Sequence, residues 1–320
     1  MSSSPEERSQ AVKAFATKLG LDACGIAQAG PADPEDRLGE WLAAGYHADM
    51  DWMATTKAIR QNPQIKMPGA RSVVVVARNY YYPDPAADAG TVKVARYARG
   101  RDYHKVLKKP LLQLARFLDD FGTVQPSYAA VDSGPVMERA WAERSGIGWI
   151  GKNSLVLRRD IGSWFFLGTV ITEVVLAPDS PIADNCGTCR ACLDACPTDA
   201  FVKEGVVDAR KCISYQTIEN RATVPEDLHE KMEGWVFGCD ICQEICPWNR
   251  FQQTSTEPDF APREGQAHPR LDELLDMNEE TFNVRFAGTP IRRAKHAGIL
   301  RNARLLKPYC GLTSRAESIS

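Results

Sequence analysis

The sequence predicts an α+β fold followed by a cysteine-dense segment, and three observations carry that prediction. Long apolar runs at 71–80 and 163–177 read as buried strands, while helical periodicity lies elsewhere, at 5–19, 104–121 and 135–146. The strands and helices do not alternate as βαβ units, and neither GxGxxG nor GxxxxGK[ST] occurs, which argues against a doubly wound nucleotide-binding sheet. Eight of the ten cysteines crowd into residues 186–246.

Each element has a local reason. Residues 5–19 place Val12, Phe15, Ala16 and Leu19 on one helical face, and residues 35–45 form a second helix. RSVVVVARNY (71–80) follows the turn-like MPGA and reads as a buried strand. YYYPDPAADAG is a loop. In 104–121, Leu107, Leu111, Leu114, Ala115 and Leu118 recur at helical spacing, with Pro110 expected near the first turn or at a kink. SYAAVD (127–132) is a short strand. PVMERAWAERSG (135–146) is a helix opened by Pro135 and closed by Gly146. SWFFLGTVITEVVLA (163–177) alternates as one long strand or two.

With 320 residues, 44% hydrophobic, 25% charged and a net charge of −2, the composition is that of an ordinary globular chain of about two domains. The N-terminus, MSSSPEERSQAVKAFA, has no apolar core, cleavage site or twin arginine, and no apolar run approaches a membrane span. A cytoplasmic, reducing location is expected. Disulfides belong to oxidising compartments, so the cysteines call for another role.

CGTCRACLDACP (186–197) has the spacing C-x2-C-x2-C-x3-C-P. Structural zinc prefers two ligand pairs separated by a loop. Three cysteines on one tight loop and a fourth before proline form the bacterial ferredoxin run, whose fourth cysteine serves the neighbouring cluster. CDICQEICP (239–247) repeats the end of that pattern, and Cys212 lies upstream. The crossing rule gives Cys186, Cys189, Cys192 and Cys246 to one [4Fe–4S] cluster. It gives Cys196, Cys212, Cys239 and Cys242 to a second. Residues 213–238 separate Cys212 from Cys239, far more than a plain ferredoxin allows. Cys24 and Cys310 remain, and both read as small packed thiols.

Clusters move single electrons and leave the substrate open. Three stretches upstream look chemical. RYARGRDYHK (96–105) gathers Arg96, Arg99, Arg101, Asp102, Tyr103 and His104 before a helix, and alone it is equally a solvated basic turn. VDSGPVMER (131–139) sets Asp132 between strand and helix, where an aspartate alone is a turn or N-cap group. GIGWIGKNSL (146–155) has glycines that permit close approach of backbone to a ligand, or simply a tight loop.

Taken in order, VDSGPVMERAWAERSGIGWIGKNSL, GSWFFLGTVIT, CGTCRACLDACPTDA, CISYQTIE and GCDICQEICPWNR closely resemble the epoxyqueuosine reductase family, from about residue 50 to 300. The resemblance implies a cobalamin-dependent oxidoreductase related to reductive dehalogenases. Its expected organisation is a nitroreductase-like cobalamin-binding catalytic domain (1–178), a ferredoxin-like 2×[4Fe–4S] domain (179–258) and a short helical C-terminal segment (259–320). Its expected reaction is the last step of queuosine biosynthesis, deoxygenation of epoxyqueuosine to queuosine at the wobble position of tRNA. The resemblance makes Asp132 the proton donor, with Tyr103 and His104 lining the same pocket. Arg139, Lys152, Asn153, Ser154 and Ser214 are candidate cobalamin contacts. It further implies an external one-electron donor such as a flavodoxin or ferredoxin, and a monomer. The alternative is a cobalamin and iron–sulfur reductase of another small substrate, such as a reductive dehalogenase, whose members usually carry an export signal.

Two features depart from the family. Many members continue past IRRAKHAGILRNARLL into a helical repeat that helps grip tRNA, whereas this sequence ends in a polar stretch expected to fray. The net charge also lacks the positive excess of a strong nucleic-acid binder. Phosphate contacts are therefore expected from local clusters: Arg96–Arg101, Lys105–Lys109, Arg292–Lys295 and Arg301–Arg304.

Overall fold

A computed structural model describes residues 3–308. Cys310 and the polar end lie outside the described residues. A four-stranded antiparallel sheet organises the first half. Its strands are β1 (Ala23–Gln28), β2 (Ser72–Asn79), β3 (Tyr128–Ala130) and β4 (Phe165–Thr172), in the order β1-β2-β4-β3. The valine run of β2 is continuous because both faces of the sheet are covered. Val74 and Val76 face one core, and Val73, Val75 and Ala77 face the other.

Helix α1 (Pro5–Lys18) and helix α2 (Tyr103–Asp119) cover the first face with Val12, Ala16, Leu107, Leu111 and Leu114. A capping box between Ser4 and Glu7 starts α1. Asp102 caps α2, its side chain accepting from the His104 amide at 3.1 Å. Pro110 lies inside α2, beyond the first turn, and the helix runs on through it to Asp119. Helix α3 (Glu138–Arg144) covers the other face with Trp141 and Ala142.

One expectation is corrected, one is narrowed, and one strand was not foreseen. The helix expected from Pro135 begins at Glu138, with Met137 as a cap that makes no side-chain bond, so Asp132 does not cap it. The alternating run at 163–177 is one strand that ends at Thr172. Strand β1, ACGIAQ, had no expectation, since its small residues carry little β-propensity. It is built by pairing with β2 from Ala23↔Ala77 to Gln28↔Ser72. Cys24 lies on it, and burial pushes its thiol up to about 12, as a packed thiol requires.

A second core crosses the boundaries expected near 178 and 258. Val92, Val94 and Ala98 pack with Ile213, Trp235, Phe237, Leu271, Phe282 and Ile299. Lys93–Val94 pairs in parallel with Trp235–Phe237. The long segment between Cys212 and Cys239 is thus a folded insert, held by residues 92–98 of the N-terminal half and by the C-terminal helices. Among the described residues no helix is long and apolar enough to cross a membrane.

Candidate active site

The first cysteine set converges. Cys186, Cys189, Cys192 and Cys246 line one cavity of about 220 Å³, together with Lys152, Asn153 and Trp248. Two one-turn helices, Ala191–Asp194 and Ile241–Glu244, pack against each other beside it. Burial, then Cys246, Cys186 and Cys189, push the Cys192 thiol up to about 11. In the second set, burial and then Cys239, Cys212 and Cys196 push Cys242 well above an ordinary thiol. Cys212 and Cys239 likewise feel Cys196. Four neighbouring thiols without a counter-cation resist ionisation, and the iron of a cluster supplies that positive charge.

The surroundings fit a cluster. Among the described residues no three His, Cys, Asp or Glu side chains gather at the spacing of a single metal ion. The first four sulfurs surround a cavity instead. The buried indole N–H of Trp149 has no conventional partner. It faces Cys186, where burial raises the thiol and the Lys152 amide and Trp149 favour the thiolate. Trp149 packs edge-on against Trp248 at 5.1 Å and shields this side of the cavity. Cys189 is exposed, so the first set reaches the surface.

The second centre lies where β3 ends beside the first turn of α2. Asp132 has a left-handed backbone, φ 54°. Its Oδ2 accepts from the Tyr103 hydroxyl at 2.5 Å and stands 3.4 Å from His104 Nε2. The other ring nitrogen of His104, Nδ1, is 2.8 Å from Asp102 Oδ1. Tyr103 stacks between Phe166 at 4.3 Å and the His104 ring at 4.1 Å, which fixes its hydroxyl. The Asp132 side chain is 64% accessible although protein surrounds it, so it sits at the floor of an open cleft. The cleft's low-dielectric walls would raise its pKa. Hydrogen bonds from His104 and Tyr103 and the charge of Arg139 outweigh that and lower it. Burial opposes a charged His104, but hydrogen bonds to Asp102 and Asp132 raise it to about 9.

The candidate cobalamin contacts divide. Arg139 donates to the Ser154 carbonyl at 2.5 Å and hydroxyl at 3.0 Å, and its charge reaches Asp132. Lys152 pairs with Glu204 at 2.9 Å and borders the first cysteine cavity. Asn153 donates to the Cys242 carbonyl at 3.1 Å. Ser214 follows Cys212 on the helix Ile213–Ile218, and its amide favours the Cys212 thiolate. The GKNS loop therefore joins the cleft to both cysteine sets. Its glycine serves packing: a Cβ at Gly151 would run into the Leu157 side chain of the same hairpin.

Other groups were missed. Glu138 has a buried oxygen without a partner, and burial, then Asp132, raises its carboxyl to about 7. Arg293 lies over the half-exposed Trp52 ring at 5.4 Å and pairs with Glu219 at 2.9 Å. Asp102 stood beside Tyr103 and His104 in RDYHK, but its contact to the ring appears only once the helix turn forms. The Arg96–Arg101 group is corrected. Arg99 is 2% exposed, pairing with Asp84 at 2.7 Å and donating to the Val94 carbonyl. Arg96 pairs with Asp84 and Glu244. Arg301 is spent on the carbonyls of Gln216, Asn220 and Ala222.

Known proteins place this geometry. Residues 185–249 match the 4Fe-4S double cluster binding domain, and residues 60–133 match the family described as Epoxyqueuosine reductase QueG, DUF1730. An epoxyqueuosine reductase of Synechocystis sp. is 48% identical over 270 residues, 83% of this chain and 93% of the relative. That of Escherichia coli is 43% identical over 299 residues, 92% of this chain and 79% of the relative. A crystal structure of epoxyqueuosine reductase with a tRNA-Tyr epoxyqueuosine-modified stem loop superposes with a TM-score of 0.87 at 31% identity, covering 94% of this chain and 81% of that one.

Proposed function

Because the chain belongs to the epoxyqueuosine reductase family, we propose that it reduces epoxyqueuosine to queuosine at the wobble position of tRNA. The observation that carries this reading is one loop, residues 151–154, joining two four-cysteine sets to a cleft floored by Asp132. Two [4Fe–4S] clusters on Cys186, Cys189, Cys192 and Cys246 and on Cys196, Cys212, Cys239 and Cys242, with cobalamin in the cleft, supply the two electrons when bound. The cleft's donor set suits a large amide-bearing ring: Arg139 and Ser154 stand on one side, and the Glu138 oxygen lacks a donor.

The chain's own residues handle position and protons. Opening the epoxide puts negative charge on oxygen, which needs an acid within reach. Asp132 delivers that proton. Tyr103 orients its carboxyl, and the stack on Phe166 keeps Tyr103 in place. Chemistry on a wobble base requires taking it from the stack into the cleft. A one-electron carrier such as a flavodoxin or ferredoxin feeds the first cluster at the surface near Cys189, in the cytoplasm where tRNA resides.

The test uses the full chain, reconstituted anaerobically with iron, sulfide and cobalamin, and an anticodon stem-loop bearing epoxyqueuosine. With a chemical reductant, mass spectrometry of the nucleosides should show loss of one oxygen. Omitting cobalamin should abolish it. Conversion without cobalamin, or none with every component present, overturns the reading.

A further inference from the structure

Removing the epoxide oxygen as water breaks two C–O bonds, forms one C=C bond, and consumes two electrons and two protons. Asp132 is one carboxyl. In the open cleft the bonds from Tyr103 and His104 hold it ionised, so it has no proton of its own to give at neutral pH. Tyr103 donates a hydrogen bond but keeps its proton, because burial, then the charge of Asp132, raises its pKa. The cleft therefore needs a proton store and a route for a second proton.

His104 is placed for both. Its ring spans two carboxylates, with Nδ1 2.8 Å from Asp102 and Nε2 3.4 Å from Asp132. Both nitrogens face acceptors, an arrangement satisfied only when both carry protons. The longer contact, at 3.4 Å, stands at the edge of hydrogen-bond length, and catalytic contacts often tighten once substrate is bound. The side chain is 36% exposed, so water reaches the ring. Asp102 is itself fixed, accepting from the His104 amide at the start of α2.

We propose that His104 stores the proton that Asp132 delivers and takes up the second from solvent, while Asp102 is the positioning residue that holds the ring charged and aligned. This rests on the epoxide-reducing reading. In each half of the reaction a proton passes from His104 Nε2 through Asp132 Oδ2 to the departing oxygen, and the neutral ring is reloaded by water. The reductant is the external one-electron carrier, acting twice. The other charged and titratable groups facing this trio are Lys105 beside Asp102, and Arg60, Tyr97, Arg139, Glu138 and Arg293 around Asp132. None of them bridges His104 to solvent.

The experiment follows stem-loop conversion by the reconstituted full chain against pH, with Asp102→Asn and His104→Gln beside wild type. The relay requires a charged His104, so the wild-type rate should fall as pH rises through about 9. Asp102→Asn should move that alkaline limb to lower pH, costing about twofold at pH 8 if the limb moves by one unit and about tenfold if it moves by two. His104→Gln should lose roughly 10²-fold or more and regain part of it with added imidazole. Equal loss at every pH in both variants, with no imidazole rescue, would mean that the residues only shape the cleft and would overturn the relay. If wild type converts no substrate, the functional reading fails, and the relay is then judged by NMR titration of His104, assigned by its absence in His104→Gln. A ring charged at neutral pH in wild type and less so in Asp102→Asn upholds the relay geometry. Ordinary titration in both overturns it.

Discussion

Asp132 is held between opposing influences. Burial favours its acid form, while hydrogen bonds from His104 and Tyr103 and the charge of Arg139 favour its carboxylate and win. Asp132→Asn keeps the shape and removes the carboxylate that takes up and passes on the proton. Conversion of the stem-loop should fall roughly 10²–10⁴-fold, with iron content and cobalamin uptake retained. A capping role would leave activity near wild type, but the helix begins too far along for that. At Asp84 the sign of the pH effect is also set. Burial would raise this carboxyl, yet His268, Arg99 and Arg96 hold it down at about 2. Its contribution is therefore full above the ordinary carboxylate range and lost as pH falls toward 2. Asp84→Asn should lower the melting temperature at pH 7, and the gap from wild type should close as pH approaches 2. The residues of this network were visible as a basic loop in the sequence. Their burial was not, because Asp84 arrives from a different loop. The same holds for Asp102: only the helix turn brings its carboxylate to the His104 ring.

Among elements, the one-turn helices at Ala191–Asp194 and Ile241–Glu244 matter most, although each is too short to be stable alone. Each carries one cysteine within the turn and is followed, four residues on, by another cysteine before a proline. That spacing sends Cys192 to the first set and Cys196 to the second, and Cys242 and Cys246 oppositely. The gathering of Cys186, Cys189, Cys192 and Cys246 around one cavity was legible because the spacing of thiols along a chain constrains where they can meet. The strands and helices with strong period were legible for the same reason. Strand β1 and the start of α3 were not, since small residues and a Ser-Gly-Pro bend leave the decision to tertiary pairing. Cys196→Ala should therefore remove the cluster that also uses Cys212, Cys239 and Cys242. Iron and sulfide should drop from roughly eight toward four per chain. The remaining electron paramagnetic signal should be that of the cluster on Cys186, Cys189, Cys192 and Cys246. Loss of this signal, with the other kept, would reverse the assignment.

At the scale of the whole molecule, charge decides how RNA is held. The chain has 39 Lys and Arg against 41 Asp and Glu, so no general field draws it to phosphate. Several basic groups expected to help are occupied: Arg96 and Arg99 with Asp84, Arg293 with Glu219, Arg301 with three carbonyls. Lys105, Lys108 and Lys109 differ. They are exposed on α2, opposite the Leu107–Leu111–Leu114 face, and form no ion pair among the described residues. The first turn of that helix carries Tyr103 and His104, so phosphates flanking an extruded base come within reach of these lysines. Each phosphate neutralised releases counterions, which makes binding fall with salt. Replacing all three lysines by alanine should weaken stem-loop binding and flatten the plot of log affinity against log salt, by about 0.7 for each phosphate no longer neutralised if that stretch of RNA is single-stranded. The rate at saturating stem-loop should stay close to wild type, because none of the three touches the Asp132 carboxyl. A salt slope unchanged in the triple variant would place the phosphate-binding groups elsewhere, and an equal fall at saturating substrate would mean that the lysines support the cleft rather than grip the RNA.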